Sequence, residues 1–123
     1  MADNESKIQE MKDIVSAFAK ERDWEKFHNP KDLGIALSIE VSELMEHFRF
    51  KSNEEIQEFL KDAEKKKEIS YELADIFHAV LRISEVCNID LSESLKEKMV
   101  EARKKYPVEK VKGKNEKYTH YSK

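Results

Sequence analysis

Glycine and proline are unusually scarce in this chain, with two residues of each among 123. All-β sandwiches and barrels need turn residues at spacings of about 8–12 positions, so an all-β fold is nearly excluded. Charged residues make up 40% of the sequence and hydrophobic residues 39%, and the abundant Glu and Lys are good helix formers. The sequence therefore predicts an all-α fold built from long helices.

Apolar residues recur at helical spacing in several segments of the chain, and those on one helix face, such as Val41 and Leu73, are expected to face inward. The four main helices are predicted at about residues 4–23, 30–50, 67–86 and 92–106, with a short helix at about residues 54–60. Asn29-Pro30 is a typical helix start, and Asn88 suits the C-terminal cap of the third main helix. The segment KDAEKKKE has no apolar stripe, which predicts a mobile connector.

These helices are expected to form an antiparallel bundle of four main helices plus the short one, within a domain of residues 1–106. The following residues, 107–123, form a basic and polar tail that is expected to be irregular, since Pro107 ends the last helix. A domain this small and polar buries limited apolar area on its own. Association of helices between subunits, and hence an oligomer, is therefore expected.

The composition also bears on where the chain works. Cys87 is the only cysteine, which excludes an internal disulfide and a cysteine-based zinc site and suggests a reducing compartment. The longest stretch without Asp, Glu, Lys or Arg has seven residues, 33–39, too few to span a bilayer. The N-terminus has neither the basic flank nor the apolar run of a signal peptide. A cytoplasmic protein with no membrane partner is expected.

The charge is distributed unevenly along the chain. Residues 103–123 contain eight Lys or Arg and two Glu, although the whole chain has a net charge of −3. A uniformly basic surface is typical of proteins that bind nucleic acids, so no nucleic acid polymer is expected as a partner. An acidic body with a basic tail suits a ligand that combines a metal ion with phosphate, and a merely solvated tail is the alternative.

Two pairs of acidic residues border the predicted core. Glu40 and Glu43 lie one helical turn apart beside the apolar stripe of the second helix, and Glu72 and Asp75 do so on the third. Similar pairs that begin at Glu10 and Glu55 lie in more polar stretches.

The two bordering pairs need a counter-charge. Carboxylates held close together raise one another's pKa or require a cation, and no Lys or Arg occurs between Asp32 and Glu46. Small residues, Ala36 and Ala79, lie between the members of each pair around the helix and leave room for a ligand. Oxygen ligands from two helices predict a site for Mg²⁺ or Mn²⁺.

The pattern Glu40-Val-Ser-Glu43 followed by Glu72-Leu-Ala-Asp75 resembles the ExxE…ExxD signature of the MazG-like nucleotide pyrophosphohydrolases. The segments ERDWEKFHNP, YELADIFHAVL, KKYPVEK and GKNEKYTHY are also similar to segments of that family. The likeness extends from about residue 18 to residue 121 and is strongest to the short, single-domain branch that includes dCTP pyrophosphatase.

This resemblance implies a reaction and a site. It implies hydrolysis of a nucleoside triphosphate to the monophosphate and pyrophosphate, in a helical homo-oligomer, typically a tetramer. It implies a Mg²⁺ ion held by the four acidic residues of the signature. Either Glu40 or Glu43 would take the proton of the attacking water.

The resemblance also implies substrate-binding residues. Trp24 would line the base pocket and Phe50 would flank the base, since aromatic rings stack on any base; a core plug is the alternative role for Trp24. Lys98 would bind phosphate. Apart from the resemblance, Lys114, Lys117 and Tyr118 belong to the basic tail, for which a solvated tail and a flap that closes over the triphosphate are the two alternatives.

Three positions depart from the family pattern. Val15, Ala79 and Ala102 stand where relatives carry polar His, Tyr and Asn. A pocket without hydrogen-bonding groups discriminates mainly by size, so loose base selectivity is expected, and a preference for dCTP does not follow.

The histidines are expected to have structural roles. His28 suits a loop or cap contact, and His47 lies on the carboxylate side of the second helix as a partly buried side chain. His78 lies opposite the apolar stripe of its helix, which predicts a surface or partner-subunit contact.

Two other functions fit the same residues. A ferritin-like di-metal protein also uses helix carboxylates but needs Glu-x-x-His on two helices, and Asp75-Ile-Phe-His78 is the only near match. A helical interaction module, in which the acids are only solubilising, is the non-enzymatic alternative.

Overall fold

The computed structural model describes residues 1–120, apart from the side chain of Tyr118, and contains helices but no strand within that range. The all-α prediction is confirmed. The α-helices are α1 (Ile8–Glu21), α2 (Pro30–Phe48), α3 (Asn53–Phe59), α4 (Ala63–Val86), α5 (Leu91–Lys105) and α6 (Val108–Val111). Short 3-10 helices cover Glu25–Phe27 and Tyr118–His120. The last three residues of the predicted tail lie outside the described part.

Polar side chains fix most helix starts. Asn29 accepts a hydrogen bond from the backbone N–H of Asp32 at 2.8 Å, and Pro30 is the first residue of α2, as predicted. Ser52 and Glu55 form a reciprocal capping box at the start of α3. After the C-terminal end of α4, Asn88 has a φ of 55°, the left-handed conformation that ends many helices.

The prediction of a mobile connector was wrong, because KDAEKKKE belongs mostly to α4. Asp62 caps the helix by accepting from the N–H groups of Glu64 and Lys65 at 2.9 and 3.2 Å. Ala, Lys and Glu are strong helix formers, so a capped segment extends the helix without an apolar stripe of its own. The prediction of an irregular tail was also wrong in part, since Pro107 precedes the one-turn helix α6.

The chain divides into two compact units, Met1–Asn88 and a second unit from Ile89 onward. In the first unit, α2 packs along α4 and α1 packs on α4. His28 before α2 contacts Arg82 late in α4, whereas His47 late in α2 contacts Glu72 earlier in α4. The two helices therefore run antiparallel. The second unit contains α5, for which Asp90 is the N-cap residue, and α6.

The core of the chain is thin. The buried apolar residues of the described part are few: Ala19, Leu33, Ile69, Ala79 and Leu81. Leu73 and Val41, both predicted to face inward, are 51% and 42% exposed. No helix within residues 1–120 is long and apolar enough to cross a membrane.

Candidate active site

Three carboxylates meet where α2 packs against α4. Glu40 and Glu43 lie one turn apart on α2 and face Glu72 of α4, and one oxygen from each lies within 4.8 Å of the others. The antiparallel packing of the two helices brings these side chains together from positions about 30 residues apart in sequence. The predicted meeting of the two acidic pairs is therefore seen for three of their four members.

Two carboxylate oxygens of the cluster, Oε2 of Glu40 and Oε2 of Glu72, are buried without a hydrogen-bond partner among the described residues. The pKa of Glu40 is raised, first by burial, then by its hydrogen bond to the Glu43 carboxyl, and then by the charges of Asp75, Glu43 and Glu72. Buried carboxylate oxygens that lack a donor fit a divalent cation, whose charge would stabilise the ionised forms.

Asp75 lies one turn beyond Glu72 on α4. Its charge contributes to the raised pKa of Glu40. The side chains of Asp75 and Glu40 both line a pocket beside the cluster. The Asp75 carboxylate is exposed and lies outside the set of three within 4.8 Å. A ligand that bridges the cluster and this pocket would therefore meet Asp75 at the boundary.

His47 lies against the cluster. Its Nε2 is 3.6 Å from Oε1 of Glu72, and its ring packs at a tilt on Phe59, with 6.4 Å between ring centres. Both side chains of the His47–Glu72 pair are about one-fifth exposed (22% and 21%). This agrees with a partly buried histidine on the carboxylate side, and we expect the contact to help orient the Glu72 carboxylate.

We expect His47→Phe to raise the Mg²⁺ concentration needed for half-maximal activity by about tenfold, because loss of a contact to a ligand typically costs 10–100-fold in metal affinity. His47→Gln keeps a nitrogen donor near the Nε2 position and should remain close to the wild type. Metal titrations of activity at saturating substrate measure both variants. Equal behaviour of the two variants would show that the contact does not orient Glu72.

A pocket of about 300 Å³ adjoins the carboxylates. Glu40 and Asp75 form its acidic end, and the two small residues predicted to leave room, Ala36 and Ala79, line it. Trp24 borders the same pocket with its ring edge-on to Phe18 at 5.7 Å between centres, and it remains 45% exposed. An aromatic wall beside an acidic end suits a ligand with one flat apolar part and one charged part.

The same pocket is also lined by His28 and His78, for which the sequence predicts structural roles, and by Arg82, which no sequence pattern indicated. The prediction that His78 makes a surface or partner contact was wrong, since its ring packs edge-on against Phe18 of α1 at 5.9 Å. A helical wheel with a single apolar stripe predicts one packing face for this helix. In the structure, α4 packs against both α1 and α2. The spacing of Asp75, Ala79 and Arg82 is the signal that places them on one face.

The other predicted substrate residues are exposed residues of the two units. Phe50 follows the end of α2 and is 89% exposed, with the Arg49 guanidinium 4.5 Å from its ring centre. The remaining lysines are exposed in the second unit, Lys98 on α5 and Lys114 and Lys117 after α6. The side chain of Tyr118 lies outside the described residues.

Antiparallel helices that present clustered carboxylates beside an aromatic pocket define a class of all-α proteins with a candidate cation site. The sequence profile of the MazG-like family matches residues 35–120, so this chain belongs to the MazG-like family. Among its relatives is dCTP pyrophosphatase 1 of Bos taurus, with 34% identity over 116 residues that cover 94% of this chain and 69% of the relative. The Homo sapiens dCTP pyrophosphatase 1 is 31% identical over 115 residues, covering 94% and 68%.

A solved structure is similar to the fold as well. A pyrophosphatase from Archaeoglobus fulgidus DSM 4304 superposes with a TM-score of 0.76 at 38% sequence identity, covering 81% of this chain and 92% of that one. The resemblance drawn from the acidic signature is thereby confirmed, and so is the prediction of an enzyme of the nucleotide pyrophosphohydrolase class. The family membership argues against the ferritin-like and non-enzymatic alternatives.

Proposed function

We propose that this chain hydrolyses nucleoside triphosphates to the monophosphate and pyrophosphate, with the triphosphate at the carboxylates and the base in the adjoining pocket. The observation that carries the proposal is the three-carboxylate cluster with two buried, unpartnered oxygens at the acidic end of a pocket with an aromatic wall. The names of its relatives, dCTP pyrophosphatase 1 and a pyrophosphatase, support the same reaction.

The residues fit a hard divalent cation. Glu40, Glu43 and Glu72 would hold Mg²⁺, with Asp75 completing the set of ligands, and Mn²⁺ could replace it. When bound, the cation neutralises phosphate charge and orients the bond to be broken. The buried oxygens of Glu40 and Glu72 support this proposal because they have no other partner among the described residues.

The chemical step needs a base and a leaving group. Either Glu40 or Glu43 accepts a proton from the attacking water, whose oxygen forms the new bond to phosphorus. The bond between the α and β phosphates breaks, and pyrophosphate leaves. The contact between the two carboxylates supports their sharing this role, because the proton taken up is stabilised by the neighbouring charge.

The remaining binding roles follow the resemblance. Trp24 provides a ring face for the base, which its place in the pocket supports. Phe50 has a φ of 66°, an uncommon conformation for an aromatic residue, and such conformations concentrate at functional sites. Its ring is 89% exposed and, with the Arg49 guanidinium over one face, would flank a base with the other. The cationic and tail groups Lys98, Lys114, Lys117 and Tyr118 bind and cover the phosphates.

The working form that we propose is a cytoplasmic homotetramer. Its catalytic domain spans residues 1–106 and contains the four-helix bundle, and residues 107–123 form the tail. Large apolar side chains are exposed on several helices, including Ile39, Met45, Tyr71 and Leu95. Exposed apolar surface of this extent typically marks an interface, which supports association of the helices between subunits.

The test is a product assay. The full chain, with Mg²⁺ and each of the eight common nucleoside triphosphates in turn, is expected to release pyrophosphate and the monophosphate in equal amounts. Enzymatic detection of pyrophosphate and chromatography of the nucleotides measure both products. Release of inorganic phosphate and a diphosphate would overturn the proposed reaction, since a different bond would then be broken.

A further inference from the structure

The pocket beside the carboxylates contains a histidine whose protonation pattern is fixed by its neighbour. The Nε–H of Arg82 donates to Nδ1 of His28 at 3.0 Å. A guanidinium has only donors and stays charged at any physiological pH. Nδ1 of His28 must therefore be the unprotonated acceptor, and the neutral ring has its proton on Nε2.

Arg82 is held firmly enough to impose this tautomer. It is 6% exposed, and its Nη1 donates to the Glu85 carboxylate one turn further along α4 at 3.2 Å. The His28 backbone is also fixed, since its N–H donates to the carbonyl of Glu25 at 3.0 Å. Both partners of the hydrogen bond are thus anchored to helical segments of the first unit.

The neutral form of His28 is also favoured electrostatically. Burial, the Arg82 charge and the neighbouring His78 all lower the pKa of His28, and the Glu25 carboxylate opposes them weakly. A protonated ring would, in addition, lose the Arg82 hydrogen bond. At neutral pH the pocket therefore meets an imidazole with a fixed N–H donor at Nε2.

His28 lies with Arg82 at the end of the pocket away from the carboxylates. Asp75 and Arg82 line the same pocket seven residues apart on α4, a rise of about 10 Å. A triphosphate held at the carboxylates would direct its base along the Trp24 wall toward His28 and Arg82. His28 offers Nε2–H and Arg82 only N–H groups there, and these two side chains complement a base edge with acceptors, while the neighbouring His78 ring lines the same end.

We propose that His28 donates its Nε2–H to a carbonyl oxygen of the nucleobase, with Arg82 as the positioning residue that fixes the donor. This proposal rests on the proposed function. Adenine is the only one of the four DNA bases without a carbonyl oxygen, and it has an amino donor in its place. The site therefore prefers substrates whose base has a keto group and disfavours dATP, in contrast to the loose selectivity expected from Val15, Ala79 and Ala102.

Two isosteric variants separate the donor from the Arg82 contact. His28→Asn keeps an acceptor near Nδ1 but has no donor near Nε2, whereas His28→Gln keeps a nitrogen donor near Nε2. We expect His28→Asn to reduce the preference for dCTP, dTTP and dGTP over dATP by about tenfold, the effect of one lost hydrogen bond. His28→Gln should keep most of that preference. The measurement is kcat/KM for the four substrates, by pyrophosphate release.

The outcomes distinguish this inference from the reaction itself. A structural role for His28 would lower kcat/KM for all four substrates by the same factor in both variants and would overturn the inference. Equal use of dATP by the wild type would overturn it as well, whereas absence of pyrophosphate with every nucleotide would contradict the proposed function. Folding of the variants is checked by helical circular dichroism.

A measurement that does not depend on turnover tests the positioning step. The ¹⁵N chemical shifts of the His28 ring in the wild-type chain at neutral pH are expected to show protonated Nε2 and unprotonated Nδ1. Arg82→Lys, which keeps the charge but not the planar fork, should allow both tautomers. An imidazolium, or a proton on Nδ1 in the wild type, would overturn the proposal.

Discussion

Glu43→Gln and Asp75→Asn are each expected to reduce kcat at least about a hundredfold while the helical circular dichroism spectrum stays unchanged. Each substitution is isosteric but removes one negatively charged oxygen ligand from a site that offers few others. A hundredfold loss corresponds to about 2.7 kcal/mol of transition-state stabilisation, in the range for a lost charged group at a cation and phosphate site. Pyrophosphate release at saturating nucleotide and Mg²⁺ gives the measurement.

Glu→Gln substitutions outside the cluster provide matched controls. Glu55 occupies the capping box of α3, where Gln serves as well as Glu, so Glu55→Gln should leave activity nearly unchanged. Glu10→Gln, in another acidic pair outside the cluster, should behave likewise. Near-normal turnover of either Glu43→Gln or Asp75→Asn would contradict the assignment of the site.

The helices were predictable because their ends have local causes. Asn29-Pro30 begins α2 and Asn88 ends α4 through side-chain capping and a left-handed residue, both readable from a few consecutive positions. The apolar period does not predict the extension of α4 back to Ala63, because this first segment of the helix has no apolar stripe. Asp62 and strong helix formers are sufficient when the helix continues into a packed segment.

The acidic site was predictable for a related reason. An i, i+3 pair on each of two helices needs only that the helices pack along the bordering faces, and α2 and α4 do so. The nitrogen-bearing end of the pocket was not predictable in this way. Its hydrogen bond joins Arg82 to His28 across 54 positions, and no periodicity within one helix reports a contact between a turn and a distant helix.

The same reasoning accounts for the exposed apolar residues. A helical wheel assigned Leu73 to the core because it lies on the apolar stripe, but in a single chain only part of that stripe is covered. Periodicity shows that a face is apolar and does not show whether the same chain covers it. The apolar stripe is wider than one partner helix needs, which is the pattern expected of helices that pack between subunits.

Removal of divalent cations is expected to abolish activity, with a loss of at least about a thousandfold in excess EDTA and full recovery when Mg²⁺ or Mn²⁺ is added back. The reason is that four negative charges beside a triphosphate repel the substrate, and a loss of about 4 kcal/mol corresponds to a thousandfold in rate. Continued turnover in EDTA, with the metal content checked by elemental analysis, would contradict the proposed cofactor.

The melting temperature of the Glu40→Gln variant shows whether the Glu40 carboxylate serves to bind the cation or to stabilise the fold. The pKa of Glu40 is raised in the folded, metal-free chain, so its ionised form is less stable there than in the unfolded chain. The stabilisation from this group is therefore present at acid pH and is lost as the pH rises through the raised pKa. At neutral pH in EDTA, Glu40→Gln should accordingly melt a few degrees above the wild type, since about 1 kcal/mol shifts Tm by about 4 °C.

Added Mg²⁺ should reverse that order. A ligand that binds only the folded chain stabilises it by about 2.7 kcal/mol at a hundred times its Kd, so the Tm of the wild type should rise with Mg²⁺ concentration. Glu40→Gln lacks one buried oxygen ligand and should show little or no rise. The variant is therefore expected to be the more stable protein without metal and the less active one with it. A lower melting temperature of Glu40→Gln than of the wild type in EDTA would show that the carboxylate stabilises the fold. That result would contradict the assignment of Glu40 as a charge that only a bound cation compensates.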